Sequence, residues 1–388
     1  MGKKKCGRNY SFSNVKNMNF SEIQPLLQES LKKIKHVVIK IGTNSITPHI
    51  ENQNSIFFHE LADVVLFLQK SGINPIIVSS GAVGLGKELL KREKKDYVQK
   101  KITLVEKQAL ASLGQSLLID IYRDAFERKN IPIAQILVSK SDFQNRKHYQ
   151  NLKYTIEQLI NWKSVPVINE NDAVATEELK VGDNDTLSEL IAGMHPYTFL
   201  IMLTTVDGFI IENKKIDFID KISDKYFKHA QGPNEGGIGG MKTKLKSAEK
   251  ILLSGHIMNI CSGKSPKIIY DLLKGEPKGT WFFTSLQKNE VAAKKRWLLH
   301  NRHITGSLYI DKGAKEALIS KNASLLIVGI EKYDGVFNKG DIIEIFYKDK
   351  KLGKGIISYS NKELEDFLIS KKEERGLEVI HRDNLILL

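Results

Sequence analysis

Cysteine is nearly absent from this sequence. The chain has two in 388 residues, Cys6 near the start and Cys261 in an apolar stretch. Neither a disulfide framework nor a cysteine-built zinc site is therefore available, and a reducing cytoplasm is the expected compartment. Long apolar runs are missing too, since none approaches the roughly 20 residues that a membrane-spanning helix requires. The N-terminal lysines are followed by no apolar stretch, which argues against a secretory signal. Cys6 also occupies the place where a myristoylation signal takes Ser or Thr. The ten histidines show no H-E-x-x-H or comparable metal spacing, and no Ser/His/Asp order can be supported. There is no internal repeat and no long low-complexity segment.

Positive charge is plentiful, with a formal net charge of +14. A basic chain raises nucleic acid as a partner, but the distribution argues against it. Residues 1–35 hold eight Lys/Arg against two Asp/Glu, and residues 301–388 hold fifteen against fourteen. The surplus thus sits in the N-terminal tail and is spread over the body, where it reads as solvated surface. A positive field also favours a small anionic substrate.

Residues 1–33 are polar, rich in Asn and Lys, and weakly patterned; they read as a flexible extension with one short helix near 21–33. Apolar runs then alternate with amphipathic segments. Strands are expected at His36–Ile41, Ile73–Val78, Ile131–Val138, Val165–Ile168 and Thr198–Leu203, and helices at Phe57–Gln69, Gln108–Arg128, Leu187–Met194 and Met241–Ser254. This alternation implies crossover connections and a mostly parallel sheet. Strands apolar on both faces imply cover on both sides, so a three-layer α/β/α sandwich is expected. After about Lys288 the pattern changes to short strands at Gly306–Ile310, Ser324–Val328, Asp341–Tyr347 and Lys354–Ser358. Between them Tyr333-Asp334-Gly335 and Asn338-Lys339-Gly340 read as turns. A small β-barrel domain is expected there. The resulting division is 1–33 extension, 34–288 α/β domain and 300–388 β domain.

Open parallel sheets bind ligands at the carboxyl ends of their strands, and four loops there carry the informative residues. Lys40, before Gly42-Thr43-Asn44, lies inside an apolar strand. Either an anion pairs with it or its stem carries the charge out to water. Ser79-Ser80-Gly81 follows a strand and opens a helix, where backbone amides hold anions. Gly81 to Lys87 matches G-x-x-x-x-G-K, but Glu88 replaces the hydroxyl residue of a phosphate loop and would repel a triphosphate. A substrate-binding turn is the better reading. Asn169-Glu170-Asn171-Asp172 and Asp183-Asn184-Asp185 flank one β–α region. They suit an ammonium group, lysines or Mg²⁺, or simple capping. Gly236–Lys244 precedes a helix and offers a cradle for phosphates, with Lys242 and Lys244 at its end; a flexible linker is the alternative.

Taken in order, V-V-I-K-I-G-T-N, V-S-S-G-A-V, P-V-I-N-E-N-D-A-V, V-G-D-N-D-T-L-S and G-G-I-G-G-M-K-T-K resemble the glutamate 5-kinase family of the amino-acid kinase fold. Ala134–Ser139 followed by Asp142, Arg146 and Tyr149 adds to the likeness. G-S-L-Y-I-D-K-G-A and E-V-I-H-R-D-N-L resemble a C-terminal PUA domain. The resemblance covers roughly residues 35–388. It implies that ATP phosphorylates the γ-carboxylate of L-glutamate, with Mg²⁺ bridging the phosphates, at the start of proline biosynthesis. It further implies that Lys40 and Lys244 flank the transferring phosphoryl and that Asp185 holds both lysines. Ser80, Asp172 and Asn184 would bind glutamate, with Asn169 and Asp183 beside them. Thr204, Thr205, Ile238, Gly239, Gly240, Met241, Lys242 and Thr243 would line the nucleotide, together with Lys40 and Lys244. Thr205 stands where the family has Asp, and Ile238 where it has Thr. The family also brings proline as feedback inhibitor, a homo-oligomer (dimer or tetramer) and glutamyl phosphate reductase as pathway partner. The alternatives are a kinase of this fold acting on acetylglutamate or aspartate, and RNA binding through the PUA domain. The near-neutral charge of residues 301–388 argues against RNA.

Overall fold

The structure is a computed structural model. It describes residues 19–43, 46, 56–93, 102–174, 184–230, 240–284, 293–301, 303–369 and 376–388. Its centre is an eight-stranded sheet with strand order β3-β4-β2-β1-β5-β9-β10-β8. The strands are β1 (His36–Ile41), β2 (Asn74–Ser79), β3 (Ile133–Val138), β4 (Val165–Glu170) and β5 (Thr198–Thr204), then β8 (Phe218–Ile219), β9 (Ile257–Ser262) and β10 (Thr280–Phe282). Between β5 and β8 lies a hairpin of β6 (Phe209–Ile211) and β7 (Lys214–Ile216). Strands β3, β4, β2, β1, β5 and β9 are mutually parallel, and β10 runs antiparallel to β9.

The two-residue period of a strand explains the layers. Val37, Ile39 and Ile41 of β1 face one side with Phe199, Ile201 and Leu203 of β5, against the helices Ile56–Lys70 and Leu104–Glu127. Val38, Leu200 and Met202 face the other, against the helices Asn184–Met194 and Met241–Leu253. Both faces are apolar because both are covered, as expected for parallel strands. The helix near the start, Phe20–Leu31, is not a loose piece of tail. Ile23, Leu27 and Leu31 are buried in the core, and Gln24 and Gln28 donate to the Gly275 and Lys274 carbonyls.

The G-x-x-x-x-G-K stretch has a packing explanation. The helices Ala82–Glu93 and Leu104–Glu127 cross so closely that a Cβ on Gly86 would lie 2.0 Å from the Leu110 carbonyl oxygen. A Cβ on Gly114 would lie 1.8 Å from that of Ala82. Gly86 thus serves helix contact, not phosphate binding.

The C-terminal unit has its own core and a five-stranded sheet, order β13-β11-β14-β15-β17, beside a short β12–β16 ribbon. Here β11 is Gly306–Ile310, β12 Leu325–Leu326, β13 Ile330–Gly335, β14 Ile342–Tyr347, β15 Lys350–Ile356, β16 Glu378–Ile380 and β17 Leu385–Leu387. Tyr333-Asp334-Gly335, expected as a turn, is instead the end of β13 paired with β11. The glycine reflects close approach: its Cβ would stand 2.5 Å from the Thr305 carbonyl oxygen.

A group of histidines lies at the amino-terminal edge of the sheet. His36 opens β1 and stacks on His195 at 4.7 Å between ring centroids, and buried His256 precedes β9. Burial, assisted by nearby cations, pushes His36 down to about 4 and His256 down to about 3; it also lowers His195. These rings are neutral in the fold but take protons once unfolded, from about pH 6.5 downward. Stability is therefore fully present above that pH and declines as pH falls toward the folded values. Each histidine contributes up to about 1.4 kcal/mol per pH unit. Urea midpoints measured from pH 7 to pH 5 should fall, and His256→Gln should flatten the slope by about one proton. An unchanged slope in that variant would contradict the assignment.

Candidate active site

In sequence the chain moves outward from β1 to β2 and on to the edge strand β3, sets β4 between β3 and β2, then returns to place β5 on β1's other side. This reversal makes the carboxyl ends of β1 and β5 a switch point, where open α/β sheets leave a crevice. Lys40 is the fifth residue of β1, paired in register with Val78 of β2 and Met202 of β5. Asp185 lies in the first turn of the Asn184–Met194 helix, where the positive helix end favours a carboxylate. Lys244 lies in the first turn of the Met241–Leu253 helix.

These three side chains meet. Asp185 Oδ1 is 2.6 Å from Lys40 Nζ, and Oδ2 is 2.8 Å from Lys244 Nζ. Thr243 Oγ1 donates to Oδ2 at 3.3 Å. Asp185 is 1% exposed, Lys40 8% and Lys244 7%. Burial alone would raise the Asp185 carboxyl, but Lys40 and Lys244, by charge and hydrogen bonding, hold it below its usual value. Two ammonium groups thus share one carboxylate, and the trio carries one net positive charge in a nearly closed setting. Such an excess favours an anion from outside the trio. The Met241–Leu253 helix begins at Gly240 with no side chain capping it, which leaves amides suited to phosphate.

A polar group adjoins this clamp. Asn184 Nδ2 donates to Ser80 Oγ at 2.6 Å, the Ser79 carbonyl at 3.0 Å and Asn169 Oδ1 at 3.1 Å. Asn169 Nδ2 donates in turn to Gln115 Oε1 at 2.9 Å. Behind them Tyr122 donates to Ser79 Oγ at 2.9 Å. Asn184 Oδ1 is buried with no hydrogen-bond partner among the described residues, so this acceptor is available to a donor such as an ammonium group.

The structure thus brings together Lys40, Asp185, Lys244 and Thr243, and separately Ser80, Asn169 and Asn184. Asp172 stands half-buried in the turn after β4, and Thr204 ends β5 beside β9. Thr205 and Lys242 are exposed, which separates Lys242 from its buried neighbour Lys244; Gly240 and half-buried Met241 open the helix. Asp183, Ile238 and Gly239 lie outside the described residues. Gln115 and Tyr122 were not anticipated, because nothing in an amphipathic helix marks which polar residue reaches a strand 54 positions away. A cavity of about 290 Å³, lined by Arg146, Lys147, Trp297, His303 and Asp341 among others, lies elsewhere and includes no clamp residue.

Comparison with known proteins gives the family. The amino acid kinase family model matches residues 35–261, and the PUA domain model matches residues 306–377. A protein named glutamate 5-kinase from Caldanaerobacter subterraneus subsp. tengcongensis is 36% identical over 369 residues, 91% of this chain and 97% of its own length. The chain belongs to the amino acid kinase family, among the glutamate 5-kinases. Similar relatives of that name occur in Desulfitobacterium hafniense, at 36% identity over 92% of this chain and all of its own. Another is found in Streptococcus pneumoniae, at 35% over 91% and 96%. Among solved structures, carbamate kinase from Giardia aligns with 65% of this chain and 99% of its own, at 16% identity and a TM-score of 0.47. The kinase-family match contains both Lys40 and Asp185 as well as Lys244, so the whole clamp lies within the family's own domain. No helix among the described residues is long and apolar enough to cross a membrane.

Proposed function

We propose that the chain transfers the γ-phosphoryl group of ATP to the γ-carboxylate of L-glutamate, giving ADP and γ-glutamyl phosphate at the head of proline biosynthesis. The observation that carries this reading is the buried Lys40–Asp185–Lys244 clamp beside the Ser80–Asn169–Asn184 group. A carboxylate is ionised at neutral pH, so the nucleophile needs no general base. What opposes reaction is repulsion between two anions and the charge on the transferring phosphoryl. Positioning and fixed positive charge answer both. A glutamate oxygen attacks the γ-phosphorus, the bond to the β–γ bridging oxygen breaks, and ADP leaves with that electron pair. Lys40 and Lys244 flank the group in transit, and Asp185 keeps them apart and aimed.

On this reading Asn184 and Ser80 bind glutamate, with Asp172 toward its α-ammonium and Asn169 and Asp183 alongside. Thr204, Thr205 and the segment from Ile238 to Lys244 line the nucleotide. No group of three or more His, Cys, Asp or Glu among the described residues could hold a metal. Asp185 is already engaged by two lysines, so Mg²⁺ would arrive on the nucleotide, held by phosphate oxygens as is usual for this ion. It would neutralise phosphate charge. The same reading carries a cytoplasmic homo-oligomer, inhibition by L-proline and a reductase that consumes the acyl phosphate. It divides the chain into a catalytic unit over 34–288, on which the Phe20–Leu31 helix docks, and a PUA unit over 300–388.

The test is ADP formation with L-glutamate, N-acetylglutamate and L-aspartate side by side, with and without proline. Preference for either alternative substrate, or no carboxylate-dependent turnover, would overturn the proposal. Within the pocket, Asn184→Ala should raise KM for glutamate by roughly tenfold, the loss of about 1.4 kcal/mol of hydrogen bonding. KM for ATP should stay near its original value; a change in ATP affinity alone would place Asn184 on the wrong substrate.

A further inference from the structure

The helix that carries Asp185 is gripped a second time, one turn further on. Glu189 is fully buried, and one of its carboxylate oxygens bonds His300 Nδ1. The other lies 3.6 Å from Lys250 Nζ. His300 is the last residue of the Ala293–His300 helix, which precedes the C-terminal domain. Its ring presses on the backbone of the Asp185 helix so closely that a Cβ on Gly193 would stand 2.4 Å from the ring. A carboxylate only accepts, so Nδ1 donates to Glu189; burial lowers the ring's pKa, which leaves Nε2 unprotonated to accept from Ser254 Oγ at 2.7 Å. That is a neutral imidazole, in keeping with its burial.

The same helix end is held from the opposite side. Lys354 of β15 donates to the Asn301 carbonyl at 2.6 Å and reaches that of Leu299 at 3.5 Å. Burial, with Lys250 and Lys351 nearby, lowers Lys354 to about 7, and the free carbonyls of the helix end accept from its nitrogen in either protonation state. Asn301 Nδ2 reaches the Phe143 and Gln144 carbonyls at 3.3 and 3.4 Å. The helices Asn184–Met194 and Met241–Leu253 are thus joined by two ion pairs. Asp185 with Lys244 faces the reaction, and Glu189 with Lys250 receives His300.

We propose that His300 is a positioning residue: through Glu189 it holds the Asn184–Met194 helix so that Asp185 stays in register with both clamp lysines, and Lys354 ties this hold to the C-terminal domain. The proposal rests on the kinase reading above. It predicts an effect on turnover more than on substrate binding, because the clamp acts on the group in transit.

The test uses the full chain and three substitutions at one position. His300→Ala removes both bonds. His300→Asn places an amide near Nδ1 and keeps the Glu189 contact, whereas His300→Gln reaches toward Ser254 instead. Alanine and glutamine should lower kcat by about 10- to 100-fold, as a small misplacement of reacting groups does. KM for both substrates should remain within about twofold, and asparagine should recover most of the loss. Equal kcat for the asparagine and glutamine variants would overturn the proposal, and their comparison stands even if the alanine variant fails to fold. Lys354→Met should lower kcat in the same direction and speed amide hydrogen exchange across residues 184–194. Exchange there at the wild-type rate would sever the C-terminal domain from the device. If the wild type turns over none of the three carboxylates, the reaction assignment falls, while hydrogen exchange in residues 184–194 still decides this proposal.

Discussion

Lys244→Ala should abolish phosphoryl transfer and leave a folded protein. Lys244 is the buried lysine of the Gly-rich segment, 2.8 Å from Asp185. Its loss leaves the carboxylate still paired with Lys40 at 2.6 Å, so no charge is orphaned. Electrostatic groups that meet a phosphoryl in transit contribute about 10³–10⁵ in rate, and kcat should fall by that order. Lys40→Ala should behave alike, since the same carboxylate then retains Lys244. Lys242→Ala, at an exposed position in the same turn, should be far milder. A coupled assay for ADP, with thermal melting to check the fold, decides this. If either clamp variant kept kcat within about tenfold of wild type, the assigned role would not stand.

Asp185→Asn should damage both the fold and the reaction. The side chain is 1% exposed and is paired with two lysines that are themselves below a tenth exposed. An amide of the same shape leaves two ammonium groups buried side by side. Breaking a buried ion pair by removing one partner costs about 3–5 kcal/mol. Burial and mutual repulsion then favour the neutral amines, which removes the positive charge the reaction uses. Lower melting temperature and a kcat reduced by at least about 100-fold are expected together. A variant melting like wild type would show that the clamp does not bear on stability. Normal turnover would show that Asp185 does not aim the lysines.

Much of the frame was legible in the sequence. Val37–Ile39 and Ile76–Val78 are apolar without alternation, which signals strands covered on both faces, and they lie in β1 and β2 at the sheet centre. The polar residues that end these runs are the ones that converge, because parallel strands deliver their carboxyl ends to one edge. What could not be read was contact across long separations between helices. Gln115 looks like any polar position on its helix, yet it orients Asn169. Gly86 and Gly114 look like breakers or parts of a phosphate loop, yet they let two helices touch. Glu189 and His300 lie 111 positions apart, and no local pattern announces that they meet. The Tyr333-Asp334-Gly335 stretch carries turn chemistry, but pairing with β11 outweighs local preference.

The Asn184–Met194 helix is enclosed on every side: each residue from Asp185 to Met194 is buried. A helix at a surface tolerates change on its outer face and resists it on its inner one, so its record of permitted variation rises and falls every three or four residues. This helix has no outer face. A saturation scan should therefore show ten consecutive intolerant positions with no helical beat. Such a signature would look like a buried strand to anyone inferring structure from tolerance alone.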